Sequence, residues 1–114
     1  MTRKNALQDA LPHQVRELIE QLGRNLKTAR LNRNLSRQEV AEKLGVSRNL
    51  VAAAEQGNTG SSIALYTALL WIYDLQEPLK ELASPQHDEV GQMLSELRNP
   101  RHRVSHRKEL DNDF

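Results

Sequence analysis

The sequence contains no cysteine, which excludes a disulfide framework and a thiolate metal site. That absence suits a reducing compartment, so a cytoplasmic location is expected. Phenylalanine and tryptophan occur once each and tyrosine twice, against 27% charged residues, the balance of a small helical protein with much surface. No apolar run reaches the length of a membrane span, and the opening MTRKNALQDALPHQ lacks the apolar segment of a signal peptide. There is no internal repeat and no strand-like alternation. What remains is 114 residues, enough for one domain plus tails, with a modest core that folds without staples.

A net charge of only +1 excludes a uniformly basic surface, but the charges are unevenly placed. Between residues 24 and 48, seven basic residues (Arg24, Lys27, Arg30, Arg33, Arg37, Lys43, Arg48) face only Glu39 and Glu42, a net +5. Between 74 and 97, six acids face only Lys80, a net −5. The chain turns basic again at Arg98, Arg101, Arg103, Arg107 and Lys108. One basic region inside a near-neutral chain fits a nucleic-acid face, and it equally fits a solvated helix surface.

Apolar periodicity and capping chemistry outline the helices. After Pro12, the residues Val15, Leu18, Ile19, Leu22, Leu26 and Ala29 form one helical stripe. Gly23 leaves open one helix or two, and Asn34 can close it in the left-handed conformation. Ser36 followed by Glu39 spells a capping box, S-R-Q-E. The helix it opens buries Val40, Ala41 and Leu44 and ends at Gly45. Ser47 then caps a second short helix, Arg48 to Gln56, closed by Gly57. Two short helices joined by G-V-S make a helix-turn-helix: the glycine permits the bend, the valine pins it to the core, and the serine starts the next helix. Ser61 or Ser62 caps a further helix, Ile63 to Tyr73. Its apolar residues occupy two sides, one with Ile63, Tyr66, Leu69, Leu70 and Tyr73, the other with Leu65, Ala68, Trp71 and Ile72. A helix apolar all round must be covered on both sides; the first faces inward, and the second meets a partner chain or is covered by the C-terminal segment folding back. Leu75, Leu79 and Leu82 are spaced as one more helical face. Ala83-Ser84-Pro85 is a break, and Asp88 to Leu97 reads as a last helix with Val90, Met93, Leu94 and Leu97 on one side.

Residues 22–75 carry a set of motifs in fixed order: L-x-x-x-R at Leu26 and Arg30, L-S-x-x-E-V-A-x-x-x-G-V-S from Leu35 to Ser47, and E-x-G at Glu55-Gln56-Gly57. This segment resembles the Cro/cI (XRE) family of helix-turn-helix DNA-binding proteins. The resemblance implies an all-α fold, a lambda-repressor-like five-helix DNA-binding domain followed by a C-terminal helix and a flexible basic tail. The expected boundaries are an N-terminal arm and helix extension at 1–21, the DNA-binding domain at 22–82 with its helix-turn-helix at 37–56, and the C-terminal helix and tail at 83–114. A second resemblance covers the run ALLWIYDLQEPLKELASPQHDEVG, the basic R-N-P-R-H-R-V and the terminal D-N-D-F. These are similar to HipB-like antitoxins, which repress their own operon and hold a HipA-type kinase toxin. Two departures from the pattern stand out: Arg37 replaces the usual glutamine after the first cap, and Ala52-Ala53-Ala54 replaces polar readers and a large core residue.

A helix in the major groove meets base edges with its N-terminal residues. That assigns base reading to Arg48 and Asn49, with methyl contact from Ala52 and Ala53, for example to thymine. Val51 is expected to face the core and Leu50 to lie to the side. Arg37, Gln38, Gln56 and Asn58 are the expected phosphate contacts. A unit this small contacts few bases, so a homodimer on palindromic double-stranded DNA is expected. The candidate dimer or partner surface is Leu65, Ala68, Trp71, Ile72, Met93 and Phe114. His102 and His106 have metal-compatible spacing but lack an acidic partner, so no metal, no cofactor and no catalytic residue is expected. The tail has three readings: solvent-facing chain, added phosphate contacts, or docking on a protein with Phe114 as anchor.

Three functions fit. The first is a repressor serving as the antitoxin of a HipA-type operon, with or without a further small subunit. The second is a stand-alone or phage-type regulator. The third, kept open by the alanine run, is an interaction module that no longer binds DNA.

Overall fold

A computed structural model describes residues 6–99. These residues contain helices and no strand, in the order α1 (Ala6–Asp9), α2 (His13–Asn32), α3 (Arg37–Leu44), α4 (Arg48–Glu55), α5 (Ile63–Ile72) and α6 (Glu89–Arg98), with short 3-10 turns at Glu77–Glu81 and Pro85–His87. They fall into two units, 6–76 and 77–99. The first unit holds five helices and is the all-α, lambda-repressor-like arrangement expected.

Local chemistry sets most of the helix ends. Ser36 Oγ accepts from Glu39 N at 3.0 Å, and the Glu39 carboxylate accepts from Ser36 N at 3.0 Å, so both halves of the capping box form. Ser47 Oγ accepts from Leu50 N, and Ser62, rather than Ser61, accepts from Leu65 N. At the other ends, Asn34, Gly45, Gly57 and Asp74 take positive φ. In each case the following residue reaches back to close the helix, as Leu35 N does to Arg30 O and Val46 N to Ala41 O.

Gly23 does not divide α2. It sits mid-helix, buried, where α2 crosses the C-terminal end of α4. A Cβ at Gly23 would lie 2.7 Å from Ala54 O and Glu55 O, and one at Gly57 would lie 2.5 Å from Glu20 Cα. The two backbones approach closely because neither glycine has a side chain.

The core of the first unit gathers Leu26, Val40, Val51, Leu69 and Tyr73, all but fully buried, with Ala29, Ala41, Ala54, Leu65 and Tyr66 around them. Leu18 departs from the expected stripe. It is 71% exposed, and Ile19 and Leu22 are the first residues of α2 to pack against the core. Helix α5 also departs from its expected division. Leu65, assigned to the partner surface, is buried in the core, while Ile63, assigned to the inner side, is 76% exposed. At 100° per residue the buried arc is centred between Tyr66 and Leu69. It is wide enough to include Leu65 at one edge and Tyr73 near its middle. Ala68 and Ile72 are half-buried, and Trp71 remains exposed.

Tyr73 is anchored by its ring. The Arg33 guanidinium stands 5.5 Å from the ring centroid and donates to Tyr73 O at 2.8 Å. The Tyr73 hydroxyl is buried and meets no hydrogen-bond partner among the described residues. Burial accordingly pushes its pKa up. An unpaired buried hydroxyl costs about 1–3 kcal/mol, so Tyr73→Phe, which keeps the ring under Arg33, is expected to leave the urea midpoint unchanged or raise it. A loss above ~1 kcal/mol would show that the hydroxyl has a stabilising role.

The second unit opens with the 3-10 turn Glu77–Glu81, where Leu75, Leu79 and Leu82 were expected to form a regular helical face. Asp88 caps α6 by accepting from Gly91 N at 2.9 Å. The side chains of Val90, Met93, Leu94 and Leu97 are all more than half exposed. Phe114, His102, His106 and the basic tail lie outside the described residues. No described helix is long and apolar enough to cross a membrane.

Candidate nucleic-acid interface

Helices α3 and α4 meet through Gly45, Val46 and Ser47. Gly45 takes φ 70, which turns the chain sharply, and Ser47 is extended at φ −79, ψ 152 as it starts α4. Val46 is partly buried against the core, as its place in the turn implied. The corner that defines a helix-turn-helix is therefore present.

A buried charge cluster fixes the corner. Glu55, near the end of α4, is 5% exposed. Its Oε2 accepts from Arg30 Nε at 2.7 Å and its Oε1 from Arg30 Nη2 at 3.1 Å. The same Oε1 accepts from Arg37 Nε at 3.0 Å. Arg30 Nη1 also donates to Leu35 O at 2.9 Å, so one guanidinium ties α2, the loop before α3, and α4. Burial alone would push the Glu55 carboxyl up, but the hydrogen bonds and charges of Arg30 and Arg37 prevail and hold it below the usual carboxylate range.

The outer surface of α4 is what this clamp presents. Val51, Ala54 and Glu55 point inward. Arg48 and Asn49 are exposed at the N-terminal turn, and neither side chain pairs with another described residue. Ala52 and Ala53 are half-exposed, and Gln56 is exposed. On the helical wheel, Asn49, Ala53 and Gln56 mark the centre of the outward arc, with Arg48 and Ala52 on one flank and Leu50 on the other.

The four expected phosphate contacts are placed differently from one another. Gln38 is exposed, and its amide donates to Glu42 Oε1 at 3.1 Å. Gln56 is exposed at the cap of α4. Asn58 is exposed, but its Oδ1 accepts from Gly60 N at 2.7 Å, and its backbone oxygen accepts from the Tyr66 hydroxyl at 2.8 Å. Arg37 has one edge of its guanidinium committed to Glu55, and its side chain is 30% exposed. The sequence reading thus missed the bond of Arg37 to Glu55 and the whole of the Arg30–Glu55 pair. A signal was present. Arg30 follows Ala29 on the apolar stripe of α2, and Glu55 sits four residues after Val51, so two opposite charges occupied core positions.

A family model described as a helix-turn-helix domain matches residues 21–83, more than half of the chain. No curated protein matches it.

Proposed function

The chain belongs to the helix-turn-helix domain family, and from that premise we propose that it is a sequence-specific transcriptional repressor that binds a palindromic operator as a homodimer. The observation that carries the reading is that Arg48 and Asn49, without a side-chain partner among the described residues, stand exposed on the first turn of a helix whose other face is locked into the core. Arginine can donate twice to guanine N7 and O6, and asparagine can bond adenine in the same bidentate manner. Arg37, Gln38, Gln56 and Asn58 flank them as phosphate contacts. Residues 22–82 act as the DNA-binding domain and 83–114 as a C-terminal helix and tail. Two such domains reach successive major grooves about 34 Å apart. The dimer or partner surface includes Ala68, Trp71 and Ile72 on α5, with Met93 on α6 and Phe114 in the tail as separate contributions. Leu65 is withdrawn because it is core.

The operon we assign is of the HipA-type toxin–antitoxin kind, with this chain as the cytoplasmic, autoregulatory antitoxin. Support comes from the similarity of residues 68–91, 98–104 and 111–114 to HipB-like antitoxins. Co-purification of the native operon products tests it: a kinase-like partner retained by the full chain upholds the antitoxin role. A chain that represses its operator and retains no such partner is instead a stand-alone regulator.

DNA reading is tested by titrating salt and by Arg48→Ala. Log affinity is expected to fall steeply with log salt. Each good bidentate pair supplies about 1–3 kcal/mol of discrimination, so Arg48→Ala should weaken the cognate site roughly ten-fold or more while barely changing random DNA. Equal losses on both duplexes would remove Arg48 from base reading.

A further inference from the structure

The outer face of α4 carries a feature that hydrogen-bonded base reading does not use. Leu50 is 47% exposed and lies outside the core cluster. It stands three residues from half-exposed Ala53, so the two are surface neighbours on one side of the helix. Ala52 is also half-exposed. Neither Ala52 nor Ala53 extends past Cβ to hold this part of the helix away from a surface it approaches. Leu50 and Ala53 thus form an apolar patch that adjoins Asn49, on the side of the helix away from Arg48.

In the major groove, the apolar group that a base edge offers is the 5-methyl of thymine. The patch is continuous with the base-reading turn, and its small residues permit close approach. We infer that Leu50 and Ala53 seat against thymine 5-methyl groups, so that each operator half-site contains at least one thymine recognised by its methyl beside the bases read by Arg48 and Asn49. The inference rests on the DNA-reading role proposed above. Leu50, which the sequence pattern set to the side, becomes a specificity-determining residue.

The test uses the full-length chain and a duplex that it selects from a random library. Each thymine of that duplex is replaced singly by deoxyuridine, which lacks only the methyl. Burial of one methyl-sized group corresponds to roughly a four-fold change in affinity. A loss of that size is expected at one or two thymines per half-site. Leu50→Ala should weaken binding to the thymine duplex comparably and reduce the uracil penalty, with an unchanged unfolding midpoint because Leu50 lies outside the core. If every uracil duplex binds as well as its parent, or if Leu50→Ala keeps the full penalty, the methyl contact is overturned while base reading stands. If selection yields no duplex preferred over random DNA, base reading itself fails and the inference falls with it.

Discussion

Glu55→Ala is expected to lower the unfolding free energy by about 3–5 kcal/mol, the usual cost of removing one partner from a buried ion pair. The reason is what it leaves behind. Arg30, with its side chain 8% exposed, would lose both hydrogen bonds to the carboxylate and stay charged in the interior. Arg37 would lose its bond as well. Domains of this kind are typically stable by only about 5–15 kcal/mol, so the variant should show a large drop in thermal midpoint. Arg30→Met combined with Glu55→Leu should be less damaging than Glu55→Leu alone, since a buried pair replaced by apolar groups often costs little. A Glu55→Ala protein that melts within a few degrees of the parent would show that the cluster is structurally dispensable.

The same carboxylate predicts an acid limb. Its pKa in the fold is lowered from the ordinary value of 4.5. Its stabilisation is therefore complete above that value and is lost as pH falls below it, toward the folded pKa. Glu39 is also lowered, by hydrogen bonds from the backbone and side chain of Ser36, so it contributes in the same direction and window. Glu55→Gln should flatten part of the fall in stability below pH 4.5 without removing all of it.

Gly57→Ala is the second large effect, with about 3 kcal/mol or more expected. Two costs coincide there. A φ of +74 disfavours any side chain by about 1–2 kcal/mol. In addition, the new Cβ would meet the backbone of Glu20 at 2.5 Å, and overpacking of this sort adds about 1–3 kcal/mol. Gly45→Ala separates the two, because Gly45 has φ +70 with nothing within 4 Å of its Cβ position. It should show only the conformational cost. Urea denaturation of both variants decides the matter: equal losses would mean that the close crossing of α2 and α4 is not limiting. Gly23→Ala sharpens the contrast. In an ordinary exposed helix interior that change stabilises by about 1 kcal/mol. Here it is expected to destabilise, because the added carbon would lie 2.7 Å from two carbonyl oxygens that belong to backbone and cannot swing away.

Features that depend on neighbours along the chain were fixed locally. The capping box of Ser36 and Glu39, the Gly45 bend, the Ser47 cap and the outward Arg48–Asn49 pair are set within three or four residues, and all were legible. Tertiary structure decided the rest, because the partners are distant in sequence. Arg30 and Arg37 meet Glu55 across 25 and 18 residues, which adds a clamp at Arg37 that no local pattern announces. The close approach of Gly23 to Gly57 settled the open choice between one helix and two, and made Gly23 a crossing point. The rotation of α5 placed Leu65 inside and Ile63 outside, and periodicity cannot fix that rotation when a helix is apolar all round. Which arc is buried depends on the shape of the surface it packs against, and that surface exists only once α2, α3 and α4 have come together.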